Sequence, residues 1–400
     1  MQEDYLNVTN RIQFDDSVEK YTYHSYVPHN ILTINNSDEI RICINNQDLL
    51  TRPGRSFVYI KGEIENHAKG HLVNNALAFL FDEIRYEVAN KEVDMVRKPG
   101  ITGLMKLLPS ANSLVKYSNA AIDTDENLKT IPKEGKFSGC IPMEMLLGVC
   151  EDFNRVLVNQ KQELILKRAK DDKNSLLTTT VATDTTLPSI KLSTIQWIVP
   201  HVLPADREKL NLREVQRRDI PLQMAFRSFE LHELPSFPKT TKHTWAVKTT
   251  TQLEKPRFII FGFQTGRDGE PRKRSDRFDH CKLKNFKVFL NSDSYPYDDL
   301  NLDFANNEVS KAYEMFIRFR ESYYYDLPDP VINRSEYVSN YPLIVVDCSK
   351  QNEAIKEGVV DLKLEIECSE NVPDNTTAYC LIIHDKEYNY KPVSNEINKT

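Results

Sequence analysis

No run of apolar residues in this chain approaches the roughly 18–20 needed to cross a bilayer as a helix, and the first thirty residues hold no signal-peptide core. The expectation is a chain without a membrane span, folded in a reducing compartment. Glycine is scarce, 12 in 400 residues, which excludes collagen-like and glycine-rich disordered chains. The seven cysteines are scattered and odd in number, so neither a zinc knuckle nor a disulfide framework is indicated. Gly262 and Gly266 follow an apolar run, but no Gly-Lys-Ser/Thr comes after them, which excludes a packaging ATPase. Excess positive charge is missing too. The formal charge is -6, and Glu3, Asp4, Asp15 and Asp16 make the N-terminus anything but a basic arm, so strong nucleic-acid binding is not expected.

What is present is the composition of an ordinary folded protein, 40% hydrophobic and 28% charged, long enough for two cores. From Glu39 onward the first half offers strands at Ile40–Ile44, Ser56–Glu65, Ala76–Phe81, Ile84–Val93 and Glu163–Lys167. Ile101–Leu108 reads as a short helix between Pro99-Gly100 and Pro109, and Glu144–Leu147 as a helical turn. Residues 169–188, rich in Asp, Lys, Ser and Thr, read as a linker, which puts a domain boundary near Thr185.

The second half adds Ile190–Val199, a charged helix over Ala205–Gln216, and strands at Leu222–Leu231, His243–Thr250, Arg257–Thr265, Leu283–Leu290, Leu343–Asp347, Asp361–Cys368 and Ala378–His384. In Asp361–Cys368 the apolar residues Leu362, Leu364 and Ile366 alternate with Lys363, Glu365 and Glu367, the period of a wall with one dry and one wet side. Val309, Ala312, Tyr313 and Phe316 follow helical spacing, predicting one helix over 308–322 with Asn306 or Asn307 as its cap. Both halves thus share a plan of strands, an inserted helix and a charged strand near the end. Ile141-Pro142 with Glu163–Lys167 would answer to Tyr341-Pro342 with Asp361–Cys368, an internal duplication that has lost its letters.

Chemistry-bearing constellations are weak. Arg267, Arg272, Lys273, Arg274 and Arg277 form a basic cluster that could meet nucleic acid or an acidic partner, but Asp268, Glu270 and Asp276 dilute it to a solvated loop. Lys167, Arg168, Lys170 and Lys173 read the same way. His67 and His71 lack a third metal ligand, and Gly70 between them argues for a loop. Asp279, His280 and Cys281 are adjacent, whereas triad members must converge from separate elements. Cys348 beside Asp347 invites a thiol-hydrolase reading, yet it follows a β-branched strand and has no helix start or positioned histidine to make a thiolate. Tyr323-Tyr324-Tyr325 with Pro328 and Pro330 offers either a partner-binding edge or an extension of the helix. Sequons at Asn7, Asn35, Asn333, Asn375 and Asn398 carry no secretory context. No catalytic, cofactor-binding or metal residue is therefore expected, and no enzyme activity.

Several stretches resemble one family in order: Thr241-Lys242-His243-Thr244-Trp245-Ala246-Val247-Lys248, Glu254-Lys255-Pro256-Arg257, Phe278-Asp279-His280-Cys281, and Leu290-Asn291-Ser292 with Tyr295-Pro296-Tyr297. Asp347-Cys348-Ser349-Lys350-Gln351-Asn352-Glu353, Asn375-Thr376-Thr377-Ala378-Tyr379-Cys380, and in the first half Gly148, Glu151-Asp152-Phe153 and Gln162-Glu163-Leu164-Ile165-Leu166 continue it. The chain resembles the double jelly-roll major capsid proteins of Polinton or Maverick elements and adintovirus-like agents. The resemblance implies an all-β fold of two tandem eight-stranded antiparallel jelly rolls with short inserted helices. The halves would be 1–185, an N-terminal roll with an arm, and 186–400, a C-terminal roll with its helix near 308–322. It further implies homotrimers that act as pseudo-hexameric capsomers of an icosahedral shell, assembled inside a host cell, with neighbouring capsomers and a minor penton protein as partners. A β-sandwich binding module domesticated from such an element is the alternative.

Overall fold

A computed structural model describes residues 17–29, 34–45, 50–111, 135–178, 187–247, 256–291, 293–350 and 361–400. Alternation sets most strands: in Phe57–Glu65, Val58, Ile60 and Ile64 are sealed while Lys61, Glu63 and Glu65 are exposed. The first half supplies β1 (Val18–Tyr26), β2 (Glu39–Ile44), β3 (Phe57–Glu65), β4 (Phe81–Val88), β5 (Lys91–Arg97), β6 (Lys136–Pro142), β7 (Gln162–Arg168) and β8 (Ser189–Pro204). The second supplies β9 (Leu222–Leu234), β10 (Lys242–Ala246), β11 (Pro256–Thr265), β12 (Leu283–Leu290), β13 (Asp293–Tyr295), β14 (Ile344–Asp347), β15 (Leu362–Cys368) and β16 (Thr376–Tyr390).

The first half pairs these strands antiparallel as β1-β8-β3-β6 and β2-β7-β4-β5. The second pairs them as β9-β16-β11-β14 and β10-β15-β12-β13. Adding eight to each label of the first half reproduces the second. Each half is an eight-stranded jelly roll, and both insert helix between their fifth and sixth strands. In the first roll this is the helix Pro99–Ser110; in the second it is the helices Ser310–Tyr324 and Arg334–Asn340.

Four expectations need correction. The strand β8 follows the boundary expected near Thr185, a residue outside the described ones, yet it pairs with β3 from Ser189↔Glu65 to Ile198↔Phe57. Its alternating Ile190, Leu192, Ile195, Trp197 and Val199 are buried in the first roll, so the Ser/Thr-rich stretch joins two sheets of one roll. The crossing to β9 is instead the charged helix α4 (Asp206–Arg217), which buries no residue. Ala76–Phe81, expected as a strand, is a helix, α1 (Ala76–Phe79), leading into β4; every residue of it is buried, which erases the period that separates strand from helix. Ile84–Val93 breaks at Ala89 and Asn90, whose φ of 49° and 61° make the two-residue turn between β4 and β5. The single helix expected over 308–322 is α5 (Ser310–Tyr324), capped at Val309 rather than by Asn306 or Asn307, and a second helix, α6 (Arg334–Asn340), follows it. Asn306 instead bonds Asp303. Beyond these, α2 (Pro99–Ser110) encloses the expected 101–108 helix, and the expected turn after Pro142 is a 3-10 turn, Met143–Met145, leading into α3 (Gly148–Asp152). The expected strand His243–Thr250 is described to Ala246; residues 248–250 lie outside the described ones.

Candidate assembly seam between the two rolls

In the second roll's sheet β9-β16-β11-β14, the strands β11 and β14 and the Ala378–Ile383 part of β16 are buried on both faces, while β9 keeps exposed residues such as Gln223 and Glu233. Its inner face meets the partner sheet, as where Phe261 stacks on Phe286 of β12 with centroids 4.6 Å apart. Its outer face, with Phe229, Phe258, Leu381 and Ile383, lies under the inserted helices: Phe258 packs edge-on against Phe319 of α5 at 5.2 Å, and α2 and α3 of the first roll cover the remainder. A sheet walled on both sides reads as continuous apolar sequence, which is how Phe258-Ile259-Ile260-Phe261 and Cys380-Leu381-Ile382-Ile383 come to be written.

Charge is carried into this seam with partners. All twelve residues of α2 are buried, Lys106 among them at 2% exposure. Its ammonium pairs with Glu151 of α3 and bonds the Tyr324 hydroxyl at 2.8 Å. Tyr323 and Tyr324 donate to the two oxygens of Glu151 at 2.7 and 2.6 Å, so α2, α3 and α5 meet on one carboxylate. Burial drives the Lys106 pKa down, but Glu151 and Tyr324 more than offset it and hold the ammonium charged. Burial likewise pushes the Tyr324 hydroxyl up to about 12.

Beside it Asp152 takes Arg227 of β9 by a two-pronged contact, Nε to Oδ2 at 2.8 Å and Nη2 to Oδ1 at 2.6 Å, and accepts the Arg227 backbone N–H at 2.8 Å. The guanidinium lies 3.6 Å from the Tyr323 ring centroid and donates to the Tyr323 carbonyl at 2.7 Å. Asp94 of β5, wholly buried, accepts from Ser228 Oγ at 2.6 Å and from the Val149 N–H at 3.1 Å. At Gly148 the chains approach so closely that a Cβ would stand 1.6 Å from the Arg227 carbonyl oxygen. Further along, Lys98 bonds Glu233 at 2.6 Å and Asp268 at 3.3 Å across the same seam. At the seam's edge a cleft of about 540 Å³ is lined by Arg55, Lys106, Glu144, Glu151, Arg320 and Tyr324, among others.

The constellations singled out in the sequence fall in different places. The basic loop is only partly solvated: Arg272 and Lys273 are exposed, whereas Arg267 is clamped on Asp279 at 2.6 and 2.8 Å, Arg274 on Asp276 at 2.6 and 3.0 Å, and Asp276 is fully buried. The loop docks on the first roll through Ser275 to the Asn174 carbonyl and the Thr178 N–H to the Pro271 carbonyl. Arg168 is buried too, bound to Asp172, the Leu80 carbonyl and Asn36. His67 sits in a 3-10 turn and His71 in a short strand, Gly70–Leu72, so they do not share a helical face. Asp279 is spent on Arg267, His280 stacks on Phe304, and burial pushes Cys281 up to about 11. Cys348 is buried at the end of β14, and burial raises its thiol far above the range in which a thiolate forms. All seven cysteines are thiols. Of the tyrosine run, Tyr323 and Tyr324 enter the seam and Tyr325 stands outside.

Sequence reasoning missed the seam. Lys106 was the one legible signal, a lone charge in an apolar helical run; Asp94, Glu151, Asp152 and Arg227 look like surface charges until the rolls are brought together. Among the described residues no helix is long and apolar enough to cross a membrane, and no three His, Cys, Asp or Glu side chains cluster as metal ligands.

Residues 70–387 match the family described as a double jelly roll-like domain. No curated protein sequence matches the chain. Among solved structures, the PBCV-1 Vp54 structure fitted into a reconstruction of the virophage Sputnik superposes with a TM-score of 0.62 at 10% identity, over 98% of this chain and 99% of that one. The Sputnik virophage structure gives 0.58 at 10% identity over 100% and 92%. The mavirus major capsid protein gives 0.55 at 10% identity over 100% and 93%. At such identity these similarities speak for the fold.

Proposed function

The chain belongs to the double jelly roll-like family, and from that membership we propose that it is a major capsid protein, a structural building block rather than an enzyme. The observation that carries this reading is the strand order repeated with an offset of eight. Two walls of one plan, fused rigidly through the Lys106–Glu151 and Arg227–Asp152 seam, let three chains set six near-equivalent walls around an axis. The first roll then ends with β8, the second begins with β9, and α4 is the crossing. The fold-level likeness to virophage capsid proteins supports the reading.

In finer terms, the capsomer is a pseudo-hexameric homotrimer of an icosahedral virion shell, assembled inside the host cell and encoded by a Polinton, Maverick or adintovirus-like element. Its partners are neighbouring capsomers and a minor penton protein; nucleic acid is not among them, since the one basic loop is neutralised by its own acids. The alternative, a binding module domesticated from such an element, draws support from the 540 Å³ cleft alone.

Light scattering and electron microscopy separate the two. A particle of three times the 46.4 kDa chain mass, and capsomers or shells on the grid, are expected. A chain that stays single at every concentration and forms no particles would overturn the capsid reading.

A further inference from the structure

The first strand is attached to its roll by pairing rather than by burial. Along its length β1 pairs antiparallel with β8, from Val18↔Pro204 to Tyr26↔Trp197, yet none of its nine residues is buried. Beyond the ladder, the Glu19 carboxylate takes Lys209 of α4 at 3.1 Å, and toward the other end two histidines meet across the pair. His24 of β1 and His201 of β8 stack with ring centroids 4.0 Å apart and planes 17° from parallel. The Tyr26 hydroxyl and His201 Nε2 are hydrogen-bonded at 2.8 Å, the Thr22 hydroxyl and His24 Nε2 at 2.9 Å. Thr22, His24 and Tyr26 share one face of β1 with His201, which lies opposite Thr22 on one side and Thr51 on the other.

We propose that β1 is an acid-released strap: protonation at the stacked imidazole pair loosens its hold on β8, and the strand leaves while the rest of the roll stays folded. Two imidazolium rings at this distance repel, and no anion stands ready to separate them. Among the described residues no carboxylate pairs with either ring. From β1 the groups facing His201 are His24 and the Tyr26 phenol, and Thr51 is neutral; Arg52 acts on Tyr21, Lys209 on Glu19, and in β2, which also touches β1, Glu39 and Arg41 pair with each other. Burial first and His24 second hold His201 well below its ordinary 6.5, at about 4. Release of β1 uncovers His201 and returns it toward the ordinary range. The stack's contribution is therefore whole above about 6.5 and is lost as the pH falls toward 4, weakening the hold of β1 by up to about tenfold per pH unit. The strand's departure leaves the 197–204 edge of β8 unpaired.

Amide hydrogen exchange of the full chain, expressed as protection factors so that the intrinsic pH dependence of exchange drops out, tests this. Protection of β1 is expected to fall about tenfold between about pH 7.5 and about pH 5, with that of β12 unchanged. His24→Gln, at an exposed position, removes one ring of the stack and is expected to shrink the fall to a few-fold; His24→Gln with His201→Gln is expected to abolish it. Glu19→Gln loosens β1 at every pH and leaves the size of the acid fall as in the wild type. Protection of β1 that holds across this range, that falls no further than that of β12, or that falls as far in either histidine variant as in the wild type, overturns the proposal.

Discussion

Lys106 shows what a single buried charge requires. Its ammonium is tolerated at 2% exposure because Glu151 and the Tyr324 hydroxyl replace the water it lost, and the rings of Phe229, Tyr323 and Tyr324 lie within 5.5 Å of it. Removing one partner strands the other. Lys106→Met alone is therefore expected to cost about 3–5 kcal/mol in urea unfolding, whereas Lys106→Met with Glu151→Leu is expected to recover most of it. A double-mutant cycle that finds the two changes additive would show that the pair is not coupled. The sequence made the oddity visible, since Lys106 interrupts Ile101–Leu108, but not its answer: Glu151 is forty-odd positions away and Tyr324 in the other roll, and no local period connects them.

At the level of elements, strands with one wet face were legible and segments buried on all sides were not. Leu362–Cys368 announces itself by alternation; Ala76–Phe79, wholly buried, reads equally as strand or helix. The start of α6 is also written in the sequence. Asn333 and Glu336 form a reciprocal capping box, each side chain bonding the other's backbone N–H at 2.9 and 3.1 Å, and the spacing is plain in the sequence as a cap three residues ahead of an acid. The same Asn333 also opens one of the sequons that carry no secretory context. The element contact most sensitive to change is α3 on β9. Gly148→Ala forces its methyl against the Arg227 carbonyl, so the rolls must part locally, with an expected loss of about 3 kcal/mol. Thermal melts of Gly148→Ala beside Gly269→Ala separate packing from backbone strain, since a Cβ at Gly269 meets nothing while its φ is 72°; equal losses at the two positions would deny the close approach its role.

On the scale of the whole molecule, the repeat was legible as a plan and illegible as a boundary. Composition marked the Ser/Thr-rich stretch before β8 as a linker, but linkers inside a roll and linkers between rolls have the same composition; only pairing partners tell them apart. The seam makes one body of the two rolls. Calorimetry is expected to give a single transition with matching calorimetric and van't Hoff enthalpies, and two resolved transitions would mean that the polar bridges across the seam couple the rolls only weakly.

The double-walled sheet has a consequence for how this chain can change over time. A residue on β11 or in the Ala378–Ile383 stretch of β16 has neighbours above and below, so a polar newcomer finds no path to solvent on either side, and drift there must be matched on the helices lying across it. The most editable ground is the reverse case, α4, which hides nothing and can vary its letters freely.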